Sequence, residues 1–211
     1  MKKSIMLMVA IILTSALSAQ EKKDDQETFF GGKDVTFGGY GGPEIRVTQI
    51  NKEPGLIVGG RGGVIISHVL SIGGAGYGLV TTHPIKNYFN SSSSDTTVYF
   101  RMGYGGLLVS CFFEPSRKIH VTTNLVIGAG GAAYTRSWGL MNNHSWGSGD
   151  FESTAFFIME PTVGVEFNIF SFFRIEANAG YRYTYGIDLS RTKSSDVNGL
   201  SAGLTFKFGK F

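Results

Sequence analysis

The sequence predicts an all-β fold, a transmembrane antiparallel up-and-down barrel of about eight strands, on three observations: long runs of two-residue alternation, segments long enough for a membrane, and connections that alternate between tight and long. The alternation is clearest over 172–189. There Phe173, Ile175, Ala177, Ala179, Tyr181, Tyr183, Tyr185 and Ile187 share one face, while Arg174, Glu176, Asn178, Gly180, Arg182, Thr184 and Asp188 share the other. Successive side chains of a strand point to opposite sides, so a period of two held this long specifies a strand with one apolar and one polar face. Residues 154–168 repeat it, with Phe157, Met159, Val163, Val165 and Phe167 against Glu160, Thr162, Gly164, Glu166 and Asn168. Over 97–113, Val98, Phe100, Met102, Tyr104 and Leu108 oppose Tyr99, Arg101, Gly103 and Gly105. Over 197–210, Leu200, Ala202, Leu204, Phe206 and Phe208 oppose Ser201, Gly203, Thr205 and Lys207.

With segments at 34–49, 55–66, 69–82 and 118–136 the strand count reaches eight, and no window shows a 3.6-residue apolar period. Most segments exceed the ~9–11 residues a tilted membrane strand needs, whereas a typical soluble strand has about 5–6. The connections at 67–68, 114–117 and 169–171 are tight, and those at 83–96, 137–153 and 190–196 are longer and rich in Ser, Asn, Asp and Gly. Short turns at one end and long polar loops at the other is the pattern of bacterial outer-membrane barrels. The first long-end connection, Asn51-Lys52-Glu53-Pro54, is shorter than that pattern expects.

The chain begins as a Gram-negative secretory precursor would. Lys2 and Lys3 precede an apolar run over 5–13 and a small-residue zone, Ser15-Ala16-Leu17-Ser18-Ala19. That is a cleavable signal peptide, expected to span 1–19, since the run is shorter than the ~20 residues of a spanning helix. Its loss takes the formal charge from +3 to +1, which gives no reason to expect nucleic acid. Residues 20–30, opening Gln20-Glu21-Lys22-Lys23, read as a polar periplasmic leader, and 31–211 as one outer-membrane barrel domain. A single Cys, Cys111, excludes an internal disulfide framework. The 30 glycines include runs such as Gly59-Gly60-Arg61-Gly62-Gly63 in mid-strand, where small residues permit the coiling of a narrow barrel. None opens a helix after a strand, which excludes a phosphate-cradling loop.

The candidate site is structural. Glu44, Arg46, Arg61, Arg101, Glu160, Glu166, Arg174, Glu176, Arg182 and Lys207 fall on faces expected to point inward. In an eight-stranded barrel the interior is just wide enough for side chains to fill it, so these residues are expected to interlock as an ion-pair core. No catalytic, cofactor or metal site is expected: the four histidines are scattered, with His68 at a turn, His83 and His144 in loops and His120 early in a strand, and no His/Cys/acid cluster has ligand spacing. His120-Val121-Thr122 resembles the His-x-Ser arrangement of lipid A deacylase barrels, with Thr122 in place of Ser, and is read as an inward polar pair. Tyr88, Phe89, Tyr134, Trp138, Tyr183 and Tyr185 are expected to form an aromatic belt toward the long loops, and Phe112, Phe113, Phe167, Phe172, Phe173 and Phe208 one toward the short turns.

On these residues the chain resembles the small outer-membrane barrels of the OmpA/OmpX type, and also Bacteroidota outer-membrane barrels of unknown role, over 31–211. The resemblance implies an outer-membrane location with a structural or surface-interaction role and no turnover. Its partners would be outer-membrane lipids and lipopolysaccharide, the barrel assembly machinery during biogenesis, and an extracellular partner meeting loops 83–96 and 137–153. The chain departs from the family pattern in one respect: Phe206 and Phe208 share the lipid-facing parity, but Phe211 falls on the other. Two alternatives stay open, a lipid-modifying barrel enzyme and a soluble periplasmic barrel with an apolar ligand inside. The soluble version requires Phe173, Ile175 and Tyr181 to point inward.

Overall fold

Each segment of period-two alternation is a strand. The computed structural model describes residues 35–90, 93–135 and 150–211; the expected signal peptide, the leader, His144, Trp138 and most of loop 137–153 lie outside the described residues. Eight long strands form the wall: β1 (Phe37–Ile50), β2 (Glu53–Ile66), β3 (Leu70–Leu79), β5 (Ser93–Phe113), β6 (Ile119–Thr135), β7 (Asp150–Phe170), β8 (Phe173–Tyr185) and β11 (Gly199–Lys210). Every pairing is antiparallel, each neighbour in sequence pairs with the next, and β11 returns to β1, with Tyr40 opposite Gly209 and Thr48 opposite Ser201. The result is a closed up-and-down barrel with no unpaired wall edge.

The tight turns explain their own sequences. Asn51 and Lys52 link β1 to β2 with φ of 51° and 67°, the left-handed pair of a two-residue hairpin. That geometry suits Asn followed by Gly, and Lys holds it at some cost. Lys52→Gly is therefore expected to raise unfolding free energy by about 1 kcal/mol, read as a higher urea midpoint in lipid vesicles. Close wall packing accounts for particular glycines: a Cβ on Gly42 would stand 1.7 Å from the Phe206 carbonyl oxygen across the β1–β11 seam.

Two stretches read as loops are folded. Residues 83–90 form β4 (His83–Asn90), which continues above β3 and pairs with the first half of β5, His83 opposite Phe100 and Asn90 opposite Ser93, so 83–90 and 93–96 are paired strand rather than loop. His83 itself is buried, its Nδ1 3.3 Å from Glu53. Residues 186–198 form a lid made of β9 (Asp188–Leu189), β10 (Thr192–Lys193) and one helical turn, α1 (Ser194–Val197). Ile187, Leu189, Thr192 and Val197 of the lid are buried among Ile50, Ile57, Phe100, Tyr134, Phe156 and Ile158.

The two faces of the wall carry opposite chemistry. Tyr181 and Tyr183 are 46% and 37% exposed on the outside, while Arg182 between them is fully buried inside. Phe37, Val47, Val163, Leu200, Leu204 and Phe208 are exposed outward, and Glu44, Glu160, Glu166, Glu176 and Lys207 are fully buried inward. Phe173 and Ile175 share the outward parity of Tyr181, opposite to the inward placement on β8 that the soluble, ligand-filled alternative requires.

One strand reverses the expectation. On β5 the apolar set Val98, Phe100, Met102, Tyr104 and Leu108 is buried inward, and Arg101 lies on the outward face. The reason is the lid: its apolar side fills the long-loop end of the lumen, and β5 supplies the apolar residues that meet it. For the same reason Tyr134 is buried and Tyr88 packs against the inner cluster instead of joining an outer belt, and Phe112 at the other end also points inward. Tyr183, Tyr185, Phe113, Phe167, Phe172 and Phe208 are exposed.

Candidate functional site

The lumen is filled in three layers. At the long-loop end lies the apolar layer closed by the lid. At the short-turn end Tyr40, Ile65 and Phe112 form an aromatic floor against which Phe211 packs, its ring 6.2 Å from Tyr40. Phe211 is thus inward, with the Arg174 guanidinium 4.0 Å from its ring centroid. Such a cation–π contact gains strength where water is excluded.

Between these layers sit the charges. Glu44 receives Arg46 Nε at 2.8 Å, Tyr77 Oη at 2.7 Å and Asn178 Nδ2 at 3.0 Å, and pairs with Arg61 Nε at 3.3 Å. Glu160 pairs with Arg46 Nη1 at 2.6 Å and accepts from Tyr104 Oη at 3.0 Å and Ser201 Oγ at 2.8 Å. Glu176 is held by Arg61 Nη2 and Lys207 Nζ and accepts from Asn124 Nδ2 at 3.1 Å. Glu166 is held by Lys207 Nζ and by Arg174 Nη1 at 2.9 Å, with His120 Nε2 3.2 Å away. Every one of these four carboxylates meets at least two donors, the condition under which a buried charge is tolerable.

Ten residues were expected in this core, and eight of them meet in it. Arg101 is outside the barrel. Arg182 is inside but does not join a carboxylate among the described residues; its Nε and Nη2 donate to the Val197 carbonyl at 3.2 and 2.7 Å, and Nη2 to Thr48 Oγ1 at 3.1 Å. The last carbonyls of a helical turn have no partner within it, and Arg182 supplies one. Arg182 is the latch of the lid, which is also tied by Tyr134 Oη to Thr192 Oγ1 at 2.8 Å and by Asn198 Oδ1 to Thr184 N at 2.6 Å. Hydrogen bonds to a charged group contribute about 1.5–3 kcal/mol, so Arg182→Met is expected to speed proteolysis within the lid about tenfold or more while the wall stays folded.

Sequence reasoning missed the uncharged donors Tyr77, Tyr104, Asn124, Asn178 and Ser201; Asn178 and Ser201 share a face with expected core charges, whereas Tyr104 lies opposite Arg101, on the face expected outward. His120 and Thr122 are both buried inward near the short-turn end, away from the surface that acyl chains would touch. Cys111 is half-exposed on the outward face. Among the described residues no group of three His, Cys, Asp or Glu side chains has metal-holding geometry, and no helix is long and apolar enough to cross a membrane.

The chain matches no protein-family model and no curated protein sequence. It is similar to the crystal structure of Neisserial surface protein A, at 15% identity and a TM-score of 0.50 over 85% of this chain and 100% of that one. It also aligns with the N-terminal β-barrel domain of Pseudomonas aeruginosa OprF, at 13% identity and a TM-score of 0.45 over 81% and 96% of the two chains. A third match is Ail of Yersinia pestis, at 12% identity and a TM-score of 0.44 over 85% and 100%. At such identities the first likeness speaks of fold, and the fold is that of a small eight-stranded outer-membrane barrel.

Proposed function

We propose that this chain is an integral barrel of the outer membrane with a structural or surface-interaction role, a lumen filled by its ion-pair network, and no turnover. The observation that carries the reading is the inverted polarity of the wall: burial of four Glu, three Arg and Lys207 inside, against exposed Phe, Val, Leu and Tyr outside. Water would reverse that arrangement, since a soluble barrel gains nothing from apolar side chains in solvent. Hydrocarbon demands it. Lid, ionic layer and aromatic floor stand in series along the axis, which supports a filled lumen over a conducting pore. Membership among Bacteroidota barrels belongs to the same proposal and rests on sequence pattern.

The partners in this reading are outer-membrane lipids and lipopolysaccharide along the wall and the assembly machinery during insertion, with any extracellular partner meeting residues 83–96 and 137–153. The protein is expected to remain in membranes after alkaline carbonate washing, to migrate faster unboiled than boiled in detergent gels, and to pass no steady current in planar bilayers. Release into a detergent-free supernatant would overturn the membrane assignment, and a stable single-channel current the filled lumen. Unchanged lipid composition in cells carrying His120→Ala or Thr122→Val is the result expected of a barrel without turnover.

A further inference from the structure

Arg101 points outward partway along the wall, a position that a purely apolar exterior does not explain. Its cross-strand neighbour on β6 is Ala133, which shares the outward parity yet is only 2% exposed, consistent with the arginine stem lying along the wall. No carboxylate among the described residues pairs with Arg101. Twelve residues separate it from Phe113 at the short-turn end of β5, which is about 30 Å along the axis at ~3.3 Å per residue and ~40° of tilt. Tyr185 stands the same twelve residues from Phe173 on β8, so the cation and the tyrosine belt lie at one height, just beyond an apolar band of about 25 Å. Headgroups occupy that level.

A second cation follows on the strand paired with β5. Lys86 is exposed on β4, on the face opposite Ile85, which packs against the inner cluster. Pairing of His83 with Phe100 and of Pro84 with Tyr99 puts Lys86 about four residues above Arg101, roughly 10 Å higher, with Tyr99 between them. The opposite wall carries Tyr181, Tyr183 and Tyr185 at this end and no outward cation on β8. Directly below Arg101 the wall is bare: Gly103 faces Gly78 and Gly105 faces Gly76, and a Cβ built at Gly76 or Gly78 would meet nothing within 4 Å. The glycines supply only a smooth surface for acyl chains; the charges specify the headgroup.

We propose that Arg101 and Lys86, with Tyr99 between them, form a lipid-binding site on the outer wall for the phosphate groups of a phosphorylated glycolipid in the leaflet at the long-loop end. The proposal rests on the outer-membrane reading above. Arginine takes phosphate in a two-pronged, charge-assisted contact, and lysine serves as a point charge. Two cation levels, one well above the apolar band, suit a disaccharide headgroup with phosphates on separate sugars; a phosphatidylglycerol offers one phosphate at one height.

The test titrates detergent-solubilised protein, purified from membranes, with lipopolysaccharide, with the same material after enzymatic dephosphorylation, and with phosphatidylglycerol. Wild type should bind the phosphorylated glycolipid about tenfold or more tightly than the dephosphorylated form, and Arg101→Gln should lose that preference, as expected for a charged hydrogen bond. Lys86→Gln, at an exposed position that carries no structural contact through its ammonium, should lose part of it, and Lys118→Gln at the opposite end should change nothing. Wild-type affinity in Arg101→Gln, indifference of wild type to dephosphorylation, or equal binding of phosphatidylglycerol would each overturn the site. Heat-modifiable migration of the same samples reports the barrel separately, so a heat-modifiable wild type without the lipid preference sinks this proposal alone.

Discussion

Glu176→Gln is expected to lower unfolding free energy by about 3–5 kcal/mol, because it removes one partner of a buried ion network and leaves cations without full compensation. Glu176 is the carboxylate that joins Arg61 to Lys207, and all three side chains are fully shielded from water. After substitution Arg61 keeps its 3.3 Å contact to Glu44 and its bond to Thr205 Oγ1, and Lys207 keeps Glu166 as its one carboxylate, beside the Tyr40 and Phe112 rings. Urea titration in lipid vesicles, followed by tryptophan fluorescence and gel mobility, measures the loss. The paired change Arg61→Met with Glu176→Met removes no net charge and should recover part of the stability, since apolar replacement of a whole buried pair is often near neutral. A single Glu176→Gln variant as stable as wild type would mean that the network does not hold the interior together.

The second large effect belongs to the outer face. Val163, 59% exposed near the middle of β7, looks away from Thr162 and Gly164 and toward the proposed hydrocarbon. Val163→Arg is expected to cost about 2–4 kcal/mol in a bilayer, the range for a cation at mid-membrane depth on a barrel's lipid face. In an aqueous setting the same change on an exposed strand position would be within about 0.5 kcal/mol. Comparing folding yields and urea midpoints of Val163→Arg with those of Lys118→Arg, a substitution at the polar short-turn end, isolates the depth effect. Equal midpoints would remove the hydrocarbon from the account of this wall.

Legibility of the fold followed the contrast between faces. β7 and β8 were readable because Glu160, Glu166, Glu176 and Arg182 alternate with Phe157, Val163, Val165 and Tyr181, so only one orientation puts charge away from lipid. β5 runs against the sequence reading because its two faces differ little in polarity; Arg101 is the sole charge of 97–113, and assigning that charge inward follows from assuming a polar interior along the whole axis. The interior is polar only in its middle, and the apolar layer above it exists because a loop supplies the matching surface. That loop is opaque for a related reason: Leu189, Thr192 and Val197 have no helical or strand period, and Ile187, which continues the outward parity of β8 in the sequence, turns inward after Gly186 at φ 105°, so their burial depends on the mouth they enter. The core pairs themselves followed from parity, but which acid met which base did not, since barrel shear sets the matching and no local pattern encodes it.

The lid also bears on the order in which the molecule comes apart. It bridges the first and last wall strands: the Asp196 carbonyl accepts from Asn51 N at 2.8 Å beyond β1, Arg182 on β8 reaches Thr48 of β1, and Thr48 Oγ1 donates to the Leu200 carbonyl of β11 at 3.0 Å. At the far end Phe211 lies against Tyr40 across the same junction. The seam where the chain meets itself is thus clasped at both extremities, so rupture there must begin by extracting a buried plug. Disassembly is accordingly expected to start elsewhere on the wall, and a covalent staple across β1 and β11 should slow unfolding far less than one placed between two interior neighbours.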